Sequence, residues 1–183
     1  MHASQHWRWN FDPEHEQLSV ELDHGLVHKC PYKTSRLIPL QPTHAAFSME
    51  DAANYQEFYD ALSAYELWEP MLLTQAALNR TILMRFGRPQ MPQSWYFQSC
   101  IEVPNYELEM GALVELNSGI ETGVFAILSI DAEFAECMLL SSSMTLSEVK
   151  IMQQFDAIKV LRNRLQPSHY LQMRYDDDHL RHA

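Results

Sequence analysis

The stretch Arg88-Pro89-Gln90-Met91-Pro92-Gln93-Ser94-Trp95 constrains this chain more than any other. Each proline fixes φ and deletes a backbone donor, so neither a helix nor a central strand runs through it. Gly87, just before it, is expected to supply the left-handed residue that ends a helix. The pattern predicts a stiff, exposed connector presenting Met91 and Trp95. A connector stiffened in advance loses little entropy when a partner docks. Met91, held between two prolines, reads as an apolar contact residue, because exposed Met and Trp are enriched at binding hot spots. For Trp95 the core and contact readings are evenly matched.

On the N-terminal side, period-two alternation predicts a hairpin over residues 7–12 and 17–22. Trp7, Trp9 and Phe11 lie on one face, with Leu18, Val20 and Leu22 opposite. Asp12-Pro13 and Asp23-His24-Gly25 are turn signals, and residues 26–30 complete a three-stranded meander. A short extended piece is expected at 35–38. Ser48 and Asp51 have the spacing of a capping box. A helix should follow, with Tyr55, Phe58 and Leu62 inward. A second, strongly apolar helix is expected over 70–86, with Pro70 at a first helical position.

Beyond Ser94 the pattern changes to strands, expected at 95–103, 112–116, 122–130, 134–141 and 145–153. Ile158, Leu161 and Leu165 recur at helical spacing, so a helix is expected over 156–165, stopped by Pro167. A final strand over 169–174 and a polar tail from 176 close the chain. The fold class is therefore α+β. A sheet packed on two helices over residues 1–90 is followed by a small, mainly-β, barrel-like domain with one helix over 91–175, and then by a flexible tail over 176–183.

The net charge of −11 disfavours nucleic acid as a partner. Its distribution is uneven. No Lys or Arg lies between Arg36 and Arg80, or between Arg88 and Lys150. Arg80, Arg85 and Arg88 form one basic group; Lys150, Lys159, Arg162, Arg164 and Arg174 form another. Either the fold gathers them into a positive face that steers toward an acidic partner, or they pair locally with the abundant acids. No apolar run approaches the length of a membrane span, and the N-terminus lacks the layout of a secretory signal. Three widely spaced cysteines, Cys30, Cys100 and Cys137, read as reduced thiols of a cytoplasmic protein. The nine histidines form no ligand spacing for a metal. No nucleophile elbow or phosphate-binding loop is present. The expectation is a protein that is not an enzyme and uses no cofactor and no metal.

Pro89-Gln90-Met91-Pro92, followed by Ser94-Trp95, resembles the central motif of the ZapC cell-division protein family. Trp7-Arg8-Trp9-Asn10-Phe11-Asp12 resembles that family's opening strand, and residues 156–167 resemble its last helix. Residues 45–51 and the total length agree as well. The resemblance implies an N-terminal α/β domain with a pocket and a C-terminal β-barrel domain. It also implies a protein of the midcell division ring that binds the tubulin-like GTPase FtsZ and promotes lateral association of its filaments. The contact residues it suggests are Arg85, Arg88, Pro89, Met91, Pro92 and Trp95. Gln93 departs from the family, which often carries a basic residue there. Val20 and Leu22 are candidates for lining the pocket, with plain core packing as the competing reading. A small-molecule-binding module built on that pocket is the alternative function. A scaffold that only self-associates weakly through its strands is a third.

Overall fold

The computed structural model describes residues 1–41, 44–100 and 108–170. The chain divides into two compact units, Met1–Pro89 and Gln90–Ala183.

In the first unit, β1 (Arg8–Asp12), β2 (Gln17–Glu21) and β3 (Val27–Lys29) form the expected meander. A two-residue strand, β4 (Ala45–Ala46), joins on the far side of β1 and gives the order β3-β2-β1-β4. The β1–β2 turn is closed by the Asp12 carboxylate, whose Oδ1 accepts from the backbone N–H groups of Glu14 and His15. His24 and Gly25 take positive φ in the β2–β3 turn. Trp9 sits opposite Val20 in register, and both are buried.

Two helices cover this sheet. In α1 (Met49–Ser63), Ser48 and Asp51 make both hydrogen bonds of the capping box, and Tyr55, Phe58 and Leu62 turn inward. The second helix, α2 (Pro70–Phe86), opens with proline and is buried along 73–74 and 76–82. Aromatic contacts join the layers. Trp7 meets Tyr55 of α1 edge-on at 5.1 Å, and Trp9 meets Phe86 of α2 at 4.9 Å. Each indole buries a large apolar area and gains from the edge-to-face geometry.

Two expectations for this unit are corrected. Gly87 does end α2, but with φ −67° rather than a left-handed backbone. What requires glycine is space, since a Cβ there would overlap the Leu83 carbonyl. Within 35–38, Thr34–Arg36 is a short 3-10 turn. The following Leu37 is extended and bridges to Gly87.

The second unit holds β5 (Leu113–Asn117), β6 (Thr122–Ile130), β7 (Phe134–Leu139), β8 (Ser143–Ser147), β9 (Lys150–Gln153), β10 (Ala157–Leu161) and β11 (Gln166–Pro167). The main sheet has the antiparallel order β10-β7-β6-β5-β11, and β8 and β9 form a separate hairpin. The sheet is barrel-like but not closed, because β10 and β11 remain edges. Phe125, Ala126, Ile127 and Leu128 are consecutive and buried, so the middle of β6 is covered on both faces.

Four sequence expectations fail in this unit, in whole or in part. Residues 156–165 form strand β10 and a 3-10 turn, Arg162–Arg164, instead of a helix. Ile158 and Val160 are β-branched and inward, and they complete the open edge of β7, with Ile158 opposite Cys137. The expected single strand over 145–153 is a hairpin that turns at Glu148–Val149 and carries a bulge. No Gly, Pro or Asn marks that turn. Ser94–Tyr96 is a 3-10 turn rather than the start of a strand, and 97–100 has no regular structure. The rest of that expected strand, 101–103, lies outside the described residues. For the expected strand over 169–174, His169 and Tyr170 are helical. Residues 171–174 and the expected tail lie outside the described residues. Among the described residues no helix is long and apolar enough to cross a membrane.

Candidate interaction surface

In the first unit the basic group does not act as one patch. Arg80 is 5% exposed. Its Nη1 donates to the Asn54 carbonyl at 2.9 Å, and its guanidinium stacks over Phe58. It belongs to the core and contributes to no basic surface. Arg85 pairs with the carboxylate of Asp51 and covers the rings of Trp9 and Phe86. The local-pairing reading therefore describes Arg85, whose charge is neutralised at its own site. Arg88 is exposed, and its Nε donates to the Leu37 carbonyl at 2.6 Å. Its backbone N–H reaches the Arg36 carbonyl at 2.9 Å, which fixes the chain just before exposed Pro89. Val20 has no exposed surface, and Leu22 is half-buried.

In the second unit Met91 is 79% exposed and Trp95 71%, with Pro92 half-buried between them. Their exposure follows from how the intervening residues are held. Gln93 N–H donates to the Lys159 carbonyl on edge strand β10 at 2.8 Å. Ser94 is buried, and its Oγ accepts from Leu161 N–H at 2.8 Å. Arg164 Nε donates to the Ser94 carbonyl at 3.2 Å, and its Nη1 donates to Ser99 Oγ. From the other side, Lys150 Nζ donates to Gln93 Oε1 at 3.0 Å and lies 4.7 Å from the Tyr96 ring centroid. With 93 and 94 fastened inward to the sheet edge, Met91 and Trp95 are left facing solvent.

Sequence reasoning placed Met91 at the surface through the prolines and left Trp95 between core and contact; both are exposed. It missed Gln93 and Ser94 as anchors, and Lys150 and Arg164 as their partners. These contacts join residues 57 and 70 positions apart, for which a single sequence carries no local signal.

A cavity of about 130 Å³ lies elsewhere in this unit, lined by Ser129, Ile130, Asp131, Phe134, Glu136 and Lys159. It is below the several hundred Å³ typical of a small-molecule site. Hydrogen bonds from the Phe134 and Glu133 N–H groups hold the Asp131 carboxyl below the usual carboxylate range, with Lys159 and Arg162 adding to the effect.

Fold and surface together define an α+β protein of two units that presents an apolar, backbone-anchored loop to its surroundings. Two family models cover it in succession: "Cell-division protein ZapC, N-terminal" over residues 1–88 and "Cell-division protein ZapC, C-terminal" over residues 89–170. A cell division protein ZapC from Idiomarina loihiensis is 44% identical over 92% of this chain and 91% of its own length. Those from Ferrimonas balearica and Aeromonas hydrophila are 34% and 30% identical, each over 92% of this chain and 93% of their own. The chain belongs to the ZapC family of cell-division proteins.

Proposed function

We propose that this chain is a non-enzymatic protein that binds FtsZ filaments and promotes their lateral association. In this reading it works in the cytoplasm at the midcell division ring and stabilises the ring there. Membership of a cell-division family supports the general role, and the motif around Pro89 and Met91 supports the choice of FtsZ. The observation that carries a binding role is the exposure of Met91 and Trp95 on a segment pinned to a sheet edge. Large apolar side chains offered from an ordered backbone lose little entropy on docking. Arg88, Pro89 and Pro92 belong to the same contact in this proposal, while Arg85, already paired with Asp51, adds little charge to it. Lateral association requires two contacts per linker, either two sites on one chain or one on each half of a dimer. Tethering raises the effective concentration of the second contact, so a modest affinity at each suffices.

Light scattering of FtsZ with GTP, with and without this protein, tests the class. Added protein should increase scattering, and co-sedimentation should place it in the pellet. Arg88→Glu and Met91→Asp should keep the fold and weaken co-sedimentation. Unchanged co-sedimentation with either substitution would remove that residue from the contact.

A further inference from the structure

Ser129, Glu136 and Lys159 form one row across three neighbouring strands. Glu136 on β7 stands opposite Ser129 on β6 and opposite Lys159 on β10. Residues directly opposite one another in antiparallel strands project to the same face, with Cβ atoms about 4.5–5.5 Å apart. A lysine and a glutamate at that spacing can pair directly, and these two do not. Lys159 Nζ lies instead 5.2 Å from the centroid of the Phe134 ring. Among the described residues, neither the Glu136 carboxylate nor the Ser129 hydroxyl has a hydrogen-bond partner.

All three side chains are half-buried, and they line the cavity of about 130 Å³ that Ile130, Asp131 and Phe134 complete. A bulge between Ile127 and Ser129 sets this register, and bulges re-aim side chains at such places. The Asp131 carboxylate is committed to the turn, where its Oδ1 accepts from the N–H groups of Glu133 and Phe134 at 2.8 Å each. Arg162 Nη1 donates to the Asp131 carbonyl at 3.1 Å and sets a positive charge against that carboxylate. One cation, one anion and one hydroxyl are left to face the cavity without satisfying one another.

We propose that this cavity binds a small free α-amino acid as its zwitterion. The ligand carboxylate accepts from Lys159 Nζ. Its ammonium donates to the Glu136 carboxylate and to Ser129 Oγ, and its side chain lies against Ile130 and Phe134. A ligand with one charge satisfies half of the row and leaves the other half desolvated without a partner. A quaternary ammonium has no N–H to donate, and Lys159 already occupies the Phe134 ring that would attract it. The volume equals that of about four water molecules, which suits a ligand the size of alanine. This site and the FtsZ contact are independent, and neither reading rests on the other.

The test is titration of the full ¹⁵N-labelled chain with L-alanine, read from its amide signals. Acetate, methylammonium and glycine betaine are the controls. L-Alanine should shift the amides of Ser129, Phe134, Glu136 and Lys159 along one saturable curve, half-complete at about 1–10 mM. Each control should need at least about tenfold more. Glu136→Gln and Lys159→Met should each raise the half-saturation at least about tenfold, with thermal unfolding as a check on the fold. If Lys159→Met does not fold, Glu136→Gln decides the matter alone. No saturable shift by about 50 mM L-alanine overturns the proposal. Equal shifts with acetate or methylammonium overturn it as well, because a single charge then suffices. So does a Glu136→Gln chain that binds L-alanine as tightly as the wild type.

Discussion

The carboxylate of Asp51, 3% exposed, accepts a hydrogen bond from Trp9 Nε1 at 2.9 Å. The same oxygen accepts from Ser48 N–H at 2.8 Å and pairs with Arg85. One side chain therefore ties β1, the start of α1 and the end of α2. Deleting Asp51 costs more than losing an ordinary cap, because the buried Trp9 Nε1–H is left without its acceptor, while Arg85, one-third exposed, returns to solvent. Asp51→Ala should destabilise the protein by about 2–4 kcal/mol, against about 1 kcal/mol for Ser48→Ala. Urea denaturation of both variants checks the order. Equal losses would show that Asp51 acts only as a helix cap.

Gly87→Ala should destabilise by about 1–3 kcal/mol, the range for overpacking. The backbone at Gly87 suits any residue, so no conformational strain contributes. The added methyl has to displace the Leu83 carbonyl, which accepts from Gly87 N–H at 2.9 Å. Gly25 has φ 74°, and an added Cβ would meet nothing within 4 Å, so Gly25→Ala tests the opposite case of strain without crowding. An Ala at 87 that leaves the urea midpoint unchanged would show that the last turn of α2 relaxes without cost.

Where chemistry is local, the sequence was legible. Pro70 and the apolar run to Phe86 bounded α2, and the turn residues 117–119 and 131–133 bounded β6 at Thr122 and Ile130. The capping box at Ser48 was readable because its two residues are three apart. Residues 156–165 misled because Ile158, Leu161 and Leu165 fit a helical period while Ile158 and Val160 equally fit a strand. The open edge of β7 decided between them. The surface was legible only in part. Two prolines announced that Met91 would be exposed. Nothing announced that Arg85 would be neutralised by Asp51, 34 positions away, or that Lys150 would arrive beside Tyr96.

Trp9 and Trp95 should behave as opposites when truncated. Trp9 is buried against Phe47 and Phe86, so Trp9→Ala should cost about 3–5 kcal/mol of stability. Among the described residues Trp95 makes one ring contact, a tilted one with Tyr96 at 5.7 Å, and it is mostly in solvent. Trp95→Ala should therefore shift stability by no more than about 0.5–1 kcal/mol. Chemical denaturation followed by circular dichroism measures both. A large loss from Trp95→Ala would make that ring part of the fold.

His28 gives the stability of the first unit a pH dependence. Burial lowers its pKa from the ordinary 6.5, opposed in part by the hydrogen bond in which Nε2 donates to Asn79 Oδ1 at 2.8 Å. The folded state thus binds fewer protons at this site than the unfolded chain, and stability falls as pH drops below the unfolded value. Its contribution is fully present well above the unfolded value of 6.5 and is lost as pH falls below it. Other groups titrate in the same range, so the measurement is a difference. The loss of stability on acidification should be smaller in His28→Gln than in wild type. Parallel profiles would show that His28 charges freely in the fold.

The three thiols should differ sharply toward alkylation. The thiolate is the reactive form, and burial pushes Cys30 up to about 11, while its Sγ–H donates weakly to the Tyr32 carbonyl at 3.8 Å. At neutral pH its thiolate fraction is then on the order of 10⁻⁴. Burial raises Cys137 as well, with Glu136 adding to the effect, and reagent cannot reach it. Cys100 is only half-buried. Brief iodoacetamide treatment of the native protein at neutral pH should modify Cys100 alone, whereas the urea-unfolded chain should take up three labels, as peptide mass spectrometry will show. Native labelling at Cys30 would mean that the β3 edge opens far more often than its packing implies, because alkylation then reports the opened fraction rather than the folded state.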